Sequence, residues 1–306
     1  MATTTESDEL SSNWSELPHE LLHNILTRLT LEHRWVGPMF VCKSWLQACK
    51  DPSLYTVFDL EPAFKSRPAE STRWWTAEFE KKIDNMIRSV VDWCDGRIVE
   101  IRVRHCSDWA ISLVAERCPN LEVLSITSCP NVTDESMIKL ASGCPKLKEL
   151  DISYCYEISH ESLLTLGRKC TNITVLKRNL MNLDPSQQIG FVPTSYLNAC
   201  PQDGDSEAAA IGNLMPQLLH LELRFSKLSA RGLTLISQGC KNLEYLDLLG
   251  CMNVTSRDIA NLTSGLTNLK TIKKPNFFMP RSGYNAERYG HWRLYEDRFE
   301  MDAFRI

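Results

Sequence analysis

The sequence predicts an α/β fold in two parts. A small helical module at the N-terminus precedes a short solenoid, in which each repeat of about 26 residues supplies one strand and one helix. Three observations predict it. Cys118, Cys144 and Cys170 are spaced 26 apart, as are Cys129 and Cys155, and an interval of 11 links Cys118 to Cys129, Cys144 to Cys155 and Cys240 to Cys251. The segments that begin at Cys118, Cys144 and Cys240 share C-x-x-L-x-x-L-x-[LI]-x-x-C, then a polar stretch, then a helical apolar pattern. Residues 14–60 lack this period and carry apolar side chains at helical spacing instead.

The N-terminal elements come first. Residues 1–12 are polar and read as a flexible tail, with no apolar core of a secretory signal. Pro18 suits the opening of a helix. Leu21, Leu22, Ile25, Leu26 and Leu29 then form an apolar stripe, and a second helical stretch carries Met39, Val41, Cys42, Trp45 and Leu46. Residues 61–93 read as a linker rich in Pro, Ser and charge, followed by a helix in which Trp75, Phe79, Ile83, Met86 and Val90 recur. That helix is expected to cap the open end of the solenoid. Trp74 and Trp75 also invite a reading as an aromatic ligand platform.

Repeats fill residues 94–274. In the strands, Leu121, Leu124 and Ile126, or Leu147, Leu150 and Ile152, point inward, while alternate positions point outward. Met137, Ile138 and Leu140, or Leu163, Leu164 and Leu166, line one side of each helix. One strand and one helix of this size cannot bury an apolar face alone, so neighbours must stack. Further copies begin at Cys170 and Met215, and weaker ones at Arg97 and Leu266. Cys170 to Met215 spans 45 residues, which places an insertion at 181–207, ahead of a short helix near 208–212. Phe191 and Tyr196 are apolar anchors within it, suited to recognition. Residues 275–306 are aromatic and charged, and read as a C-terminal cap and tail.

These patterns carry two resemblances. The repeats resemble cysteine-containing leucine-rich repeats. Residues 13–60 resemble the F-box: L-P-x-E-L, I-L-x-x-L, V-C-K-x-W and D-P-S-L-Y occur in that order. The layout is similar to plant F-box/leucine-rich-repeat proteins. The resemblance implies a helical module that docks on a Skp-type adaptor and, through it, a cullin–RING ubiquitin ligase. By position, Leu17, Pro18, Leu21, Ile25 and Leu26 correspond to adaptor-facing residues. Val41, Cys42 and Trp45 match a second cluster, partly core and partly interface. Two departures stand out. Arg34 occupies a position that is usually apolar, and Gly37-Pro38 interrupts the middle helix, so that a helix begins at Pro38 or the module bends there.

The repeats are expected to hold a protein target on their concave face. Glu149, Asp151, Lys177, His220, Glu222, Arg224, Tyr245 and Asp247 are the candidate contacts, because they fall on outward strand positions. The face reads as basic at Glu100, Arg102 and Arg104, then neutral, acidic and mixed.

Composition excludes other classes. A net charge of -4 argues against nucleic-acid binding by bulk positive charge, and no apolar run reaches the roughly 18 residues of a membrane span. Twelve cysteines in a chain without an export signal read as free thiols, which fits the nucleus or cytoplasm. Cys129, Cys155 and Cys251 suit small internal positions where strands end. No CxxC, HExxH, Gly-rich phosphate loop or catalytic grouping occurs, so no cofactor, metal or catalytic residue is assigned. The leading expectation is the non-catalytic substrate-recognition subunit of a Skp–cullin–F-box ligase. A repeat scaffold outside any ligase and a small-molecule hormone co-receptor are the alternatives.

Overall fold

A computed structural model describes residues 14–66, 76–180 and 203–275. Eight strands form one parallel sheet in the order β1-β2-β3-β4-β5-β6-β7-β8. Every neighbour in space is therefore the neighbour in sequence, with a helix crossing between, and the result is the α/β solenoid the 26-residue period predicts. The strands are β1 (Val57–Asp59), β2 (Glu100–Arg104), β3 (Val123–Thr127), β4 (Glu149–Asp151), β5 (Val175–Lys177), β6 (His220–Glu222), β7 (Tyr245–Asp247) and β8 (Thr271–Lys273). The register repeats without slippage: Leu124 lies beside Leu150, Leu150 beside Leu176, and Leu221 beside Leu246.

The helical module contains α1 (His19–Thr27), α2 (Leu31–Val36) and α3 (Lys43–Cys49). Pro18 is the N-cap of α1, and its carbonyl accepts from the N–H groups of Leu21 and Leu22. Gly37 ends α2, and Pro38–Phe40 forms a single 3-10 turn before α3. The Gly-Pro pair thus splits one helix into two, because Pro38 offers no N–H to continue the ladder. Arg34 ties α2 to the turn that closes the module. Its Nη1 donates to the Leu54 carbonyl at 2.8 Å, and its guanidinium lies over the Tyr55 ring.

The module leads straight into the sheet, since β1 pairs with β2 two residues after the turn that contains Leu54 and Tyr55. Aromatic packing fixes the joint. Trp93, at the end of α5 (Ala77–Trp93), meets Trp35 at 5.7 Å and Tyr55 at 5.4 Å between ring centroids. The expected capping helix is α5, with Ile83, Ile87, Val90 and Val91 buried against the first repeat. Trp74 and Trp75 lie outside the described residues. The start of the expected linker differs: it forms α4 (Glu61–Ser66), docked by the buried Phe64 and by Glu61, whose carboxylate grips Arg104 with two bonds of 2.7 Å.

The repeat helices are α6 (Asp108–Arg117), α7 (Asp134–Gly143), α8 (His160–Lys169), α9 (Gly204–Leu214), α10 (Ala230–Gly239) and α11 (Ser256–Thr263). A hydrogen-bond ladder ties the N-termini of four of these helices to the helix before. Asp84 accepts from the N–H and hydroxyl of Ser107, Asp108 from those of Thr133, Asp134 from those of Ser159, and Asp205 from those of Ser229. The residues that cap α6, α7, α8 and α10 are thereby held by the helix before, whereas Thr255, the cap of α11, is held by Asp258 of its own helix. At α8 the corresponding position is His160, and the step to the α9 cap, Asp203, is where the insertion enters.

Two columns of buried thiols run through the core. Cys94, Cys118, Cys144, Cys170 and Cys240 cap the C-termini of helices, and Cys106, Cys129, Cys155 and Cys251 close the turns after strands. Cys155 Sγ donates to the Ile126 carbonyl at 2.8 Å and Cys251 Sγ to Leu223 at 3.0 Å. Both reach a carbonyl of the preceding repeat, whereas Cys94 and Cys129 bond the carbonyls of Val91 and Thr127 in their own segments. Burial pushes Cys144, Cys240 and Cys251 up to about 12 and Cys155 well above its usual range, so these are packing groups and not nucleophiles.

Candidate interaction surfaces

The helical module presents one surface. On α1, Leu22 and Leu26 are fully buried, while Leu21 and Ile25 are 52% and 36% exposed. The helix carries two adjacent apolar stripes, of which the fold uses one. Leu21 and Ile25 stand one turn apart on the other. Trp14, Val36, Phe40 and Val41 are also exposed apolar side chains of this module. So much uncovered apolar area is unusual on a small module and marks an interface.

Among the residues singled out in the sequence, Pro18, Leu21, Ile25 and Val41 are exposed, and Leu17, Cys42 and Trp45 are half-buried. Trp45 uses its ring N–H to hold the Trp14 carbonyl at 2.8 Å. Leu26 is a correction: it has no accessible surface and belongs to the core, because it lies on the inward stripe with Leu22. Sequence reasoning missed Trp14, Val36 and Phe40. Their signal is only that large apolar residues flank predicted helix ends.

The concave face presents the second surface, and ion pairs dominate it. Arg102 bridges Glu100 and Glu149, so the end that reads as basic is neutralised. Glu222 gathers His220 Nε2 at 2.8 Å, Asn179 Nδ2 at 2.9 Å and, farther off, Arg224 and Lys177 at 3.9 and 4.0 Å. Arg224 Nε also bonds Asp247 at 2.8 Å, with Lys273 at 3.5 Å on the same oxygen. Asp247 is the second correction. It is 0% exposed, because Arg224 and Lys273 close over it, so it orients its neighbours without meeting a partner itself. His220 stacks flat on Tyr245, with ring centroids 4.2 Å apart and planes 3° off parallel. Glu149, Asp151, Lys177, His220, Glu222, Arg224 and Tyr245 remain half-buried and reachable.

Burial alone pushes Glu222 up, but His220, Asn179, Lys177 and Arg224 together hold its carboxyl down at about 2. A folded value below that of the unfolded chain, about 4.3, means that this stabilisation is complete above that pH. It is lost as pH falls toward 2. The expected result is that Glu222→Gln flattens the acid limb of a stability-versus-pH profile between about pH 4.5 and 2. An unchanged acid limb in chemical denaturation would show that the cluster does not hold the carboxylate.

The insertion is bounded by a feature the sequence reading passed over. The helix after it is longer than expected, covering Gly204–Leu214, so the last four residues of the 181–207 stretch are helical and Glu207 is buried. Residues 181–202, with Phe191 and Tyr196, lie outside the described residues, as do 1–13 and 276–306. Among the described residues, Arg178 is the largest fully buried side chain, with Nη2 and Nε each 3.3 Å from Glu207 Oε1. It also donates to the carbonyls of Cys155 and Ile158 at 2.6 Å and of Ile152 at 3.3 Å. Arg178 stands where other repeats place Ile126, Ile152, Leu223 and Leu248. Glu207 stands where they place Ile111, Met137, Leu163 and Leu233. Among the described residues, no group of His, Cys, Asp or Glu has a metal-binding arrangement, and no helix is long and apolar enough to cross a membrane.

An eight-stranded parallel solenoid behind a helical module with an open apolar stripe defines a leucine-rich-repeat protein with an F-box. Comparison with known proteins agrees: the F-box domain family matches residues 14–57, and the Leucine Rich repeat family matches residues 117–141. The chain belongs to the F-box/leucine-rich-repeat family of plants. It is 58% identical to F-box protein SKIP1 of Arabidopsis thaliana, over 98% of this chain and 100% of that one. It is 56% identical to Putative F-box/LRR-repeat protein 19 of the same plant, over 93% and 94%. Among solved structures, the tropomodulin C-terminal domain from Caenorhabditis elegans aligns with a TM-score of 0.35 at 17% identity, over 53% of this chain and 91% of that one.

Proposed function

We propose that this chain is the substrate-recognition subunit of a Skp–cullin–F-box ubiquitin ligase. It docks on a Skp-type adaptor through the exposed stripe of α1 and the apolar side chains beside it, and holds a protein target on the concave face of the repeats. It performs no bond chemistry. It contributes proximity, raising the effective concentration of the target at the ligase. The observation that carries the reading is the division of α1, with Leu22 and Leu26 buried and Leu21 and Ile25 exposed within the segment that matches the F-box.

The test is co-purification of the full chain with a Skp-type adaptor. Leu21→Glu combined with Ile25→Glu is expected to weaken binding by about 100-fold or more, because central apolar anchors carry most of an interface's energy. The melting temperature is expected to hold, because both side chains are exposed. A native, folded chain that ignores the adaptor would instead identify a repeat scaffold working outside any ligase.

A further inference from the structure

The concave face carries opposite charge at its two ends. Across β1–β4 the outward side chains include four carboxylates, Asp59, Glu100, Glu149 and Asp151, against two cations, Arg102 and Arg104. Both cations are committed. Arg102 bridges Glu100 and Glu149, and Arg104 is held by Glu61, a fifth carboxylate. Among the described residues, Asp59 and Asp151 have no cation within 4.0 Å and accept the N–H groups of Glu61 and Ser153 instead. Across β5–β8 the balance reverses. Lys177, Arg224 and Lys273 surround only two carboxylates, Glu222 and Asp247, and Asp247 has no accessible surface. With His220 neutral, five carboxylates against two cations leave the first half at -3, and three cations against two carboxylates leave the second at +1. The carboxyl groups register the same division. Burial pushes Asp59 up, with Glu61 and Glu100 adding to it, and burial pushes Asp151 up. Glu222, buried as well, is held down at about 2 by His220, Asn179, Lys177 and Arg224. Distance keeps the two ends separate. The middle of β1–β4 and the middle of β5–β8 are four strand spacings apart, about 19 Å. Charges in physiological salt are screened over about 8 Å, so neither end cancels the other.

We propose that the concave face binds an extended, bipolar segment of a partner protein, with lysine or arginine over β1–β4 and aspartate or glutamate over β5–β8. It rests on the reading of the concave face as the target-binding face, and names the charge order that face selects. Complementary charge steers encounter and sets register more than it adds affinity. An extended chain advances about 3.3 Å per residue, so a segment crossing the strands carries its two charge groups about six residues apart. The basic group lies toward the helical module, because β1 is the strand that follows it. The acidic group lies beside an aromatic surface, the flat stack of His220 on Tyr245. Val175 continues that surface as the register neighbour of His220, so an apolar side chain next to the acid fits there. A second copy of this chain is a poorer occupant, since two concave faces do not nest.

The test is a display selection of random extended peptides against the full chain at low salt, followed by binding to two neutralised variants. Asp59→Asn with Glu149→Gln lowers the charge of the first half, and keeps the oxygens that accept from the Glu61 N–H and from Arg102. Lys177→Gln with Lys273→Gln lowers that of the second. Melting curves confirm folding, and peptides seated on the concave face are those weakened by Tyr245→Ala. The expected result is that these peptides carry basic and acidic residues in separate groups about six positions apart. Each neutralised variant weakens them about tenfold or more, and so does salt of about 1 M, where screening acts over about 3 Å. Peptides selected afresh on the first variant lose the basic group and keep the acidic one, and those selected on the second do the reverse. Concave-face peptides without separated charge, or with equal binding to native chain and both variants, overturn the bipolar partner and leave the concave reading standing. Salt-dependent self-association of the native chain in light scattering overturns it in favour of a second copy. A selection that yields no peptide sensitive to Tyr245→Ala overturns both the bipolar partner and the concave reading.

Discussion

Arg178→Ala is expected to destabilise the fold by about 3–5 kcal/mol, because it leaves Glu207 buried and charged without a partner. It also strips the carbonyls of Cys155 and Ile158 of the bonds Arg178 gives them, and leaves that of Ile152 with only the longer bond from the Cys155 N–H. The repeat architecture explains why an arginine is there. In two other repeats a cysteine three residues past the inward position donates to the preceding repeat, as Cys155 does to Ile126 and Cys251 to Leu223. In this repeat that position is Met181, and the guanidinium supplies the bond to Ile152 instead. Burial pushes Glu207 up against the pull of Arg178, so the pair is held at a desolvation cost. Arg178→Ile combined with Glu207→Leu restores the side chains found in the other repeats. This variant is expected to recover part of the loss but not all, since no thiol replaces the guanidinium. Urea denaturation of the parent and the two variants measures this. A single mutant as stable as the parent would mean that the pair does not close the core beneath the insertion.

Cys155→Asp is expected to be comparably severe, at about 3 kcal/mol or more, since it puts an acid into a fully buried site whose neighbouring cation, Arg178, is already paired with Glu207. Cys155→Ala removes only one sulfur contact and the bond to Ile126, and is expected to cost about 1–2 kcal/mol. Thermal melts separate the two, and equal melting temperatures for both variants and the parent would place this thiol outside the core.

These variants also show what could be read in advance. The inward positions of β3 and β4 follow from Leu124, Ile126, Leu150 and Ile152, because a strand's alternation and a fixed repeat length leave no freedom in register. The thiol positions follow for the same reason. Arg178 was not legible, although the pattern turned it inward, because its partner lies 29 residues away across the insertion. Leu26 and Ile25 are neighbours on a helix that is apolar over a wide arc, so spacing alone does not say which faces the core. Asp247 sits on an outward strand position, and only the meeting of Arg224 and Lys273 over it removes it from solvent. β1 has three residues and no repeat before it, so its place in the sheet comes from pairing with β2 and not from a period.

The joint at Trp35, Tyr55 and Trp93 has a mechanical consequence. With β1 built into the sheet immediately after the helical module, no slack chain separates the module from the first strand, and three rings lock the angle between them. The chain is a lever without a hinge. A partner that tilts the helical module swings the far repeats through the same angle, and the displacement grows with distance along the stack. Loosening that corner, by Trp93→Ala for instance, would leave each end able to grip its own partner while the distance between those partners drifts.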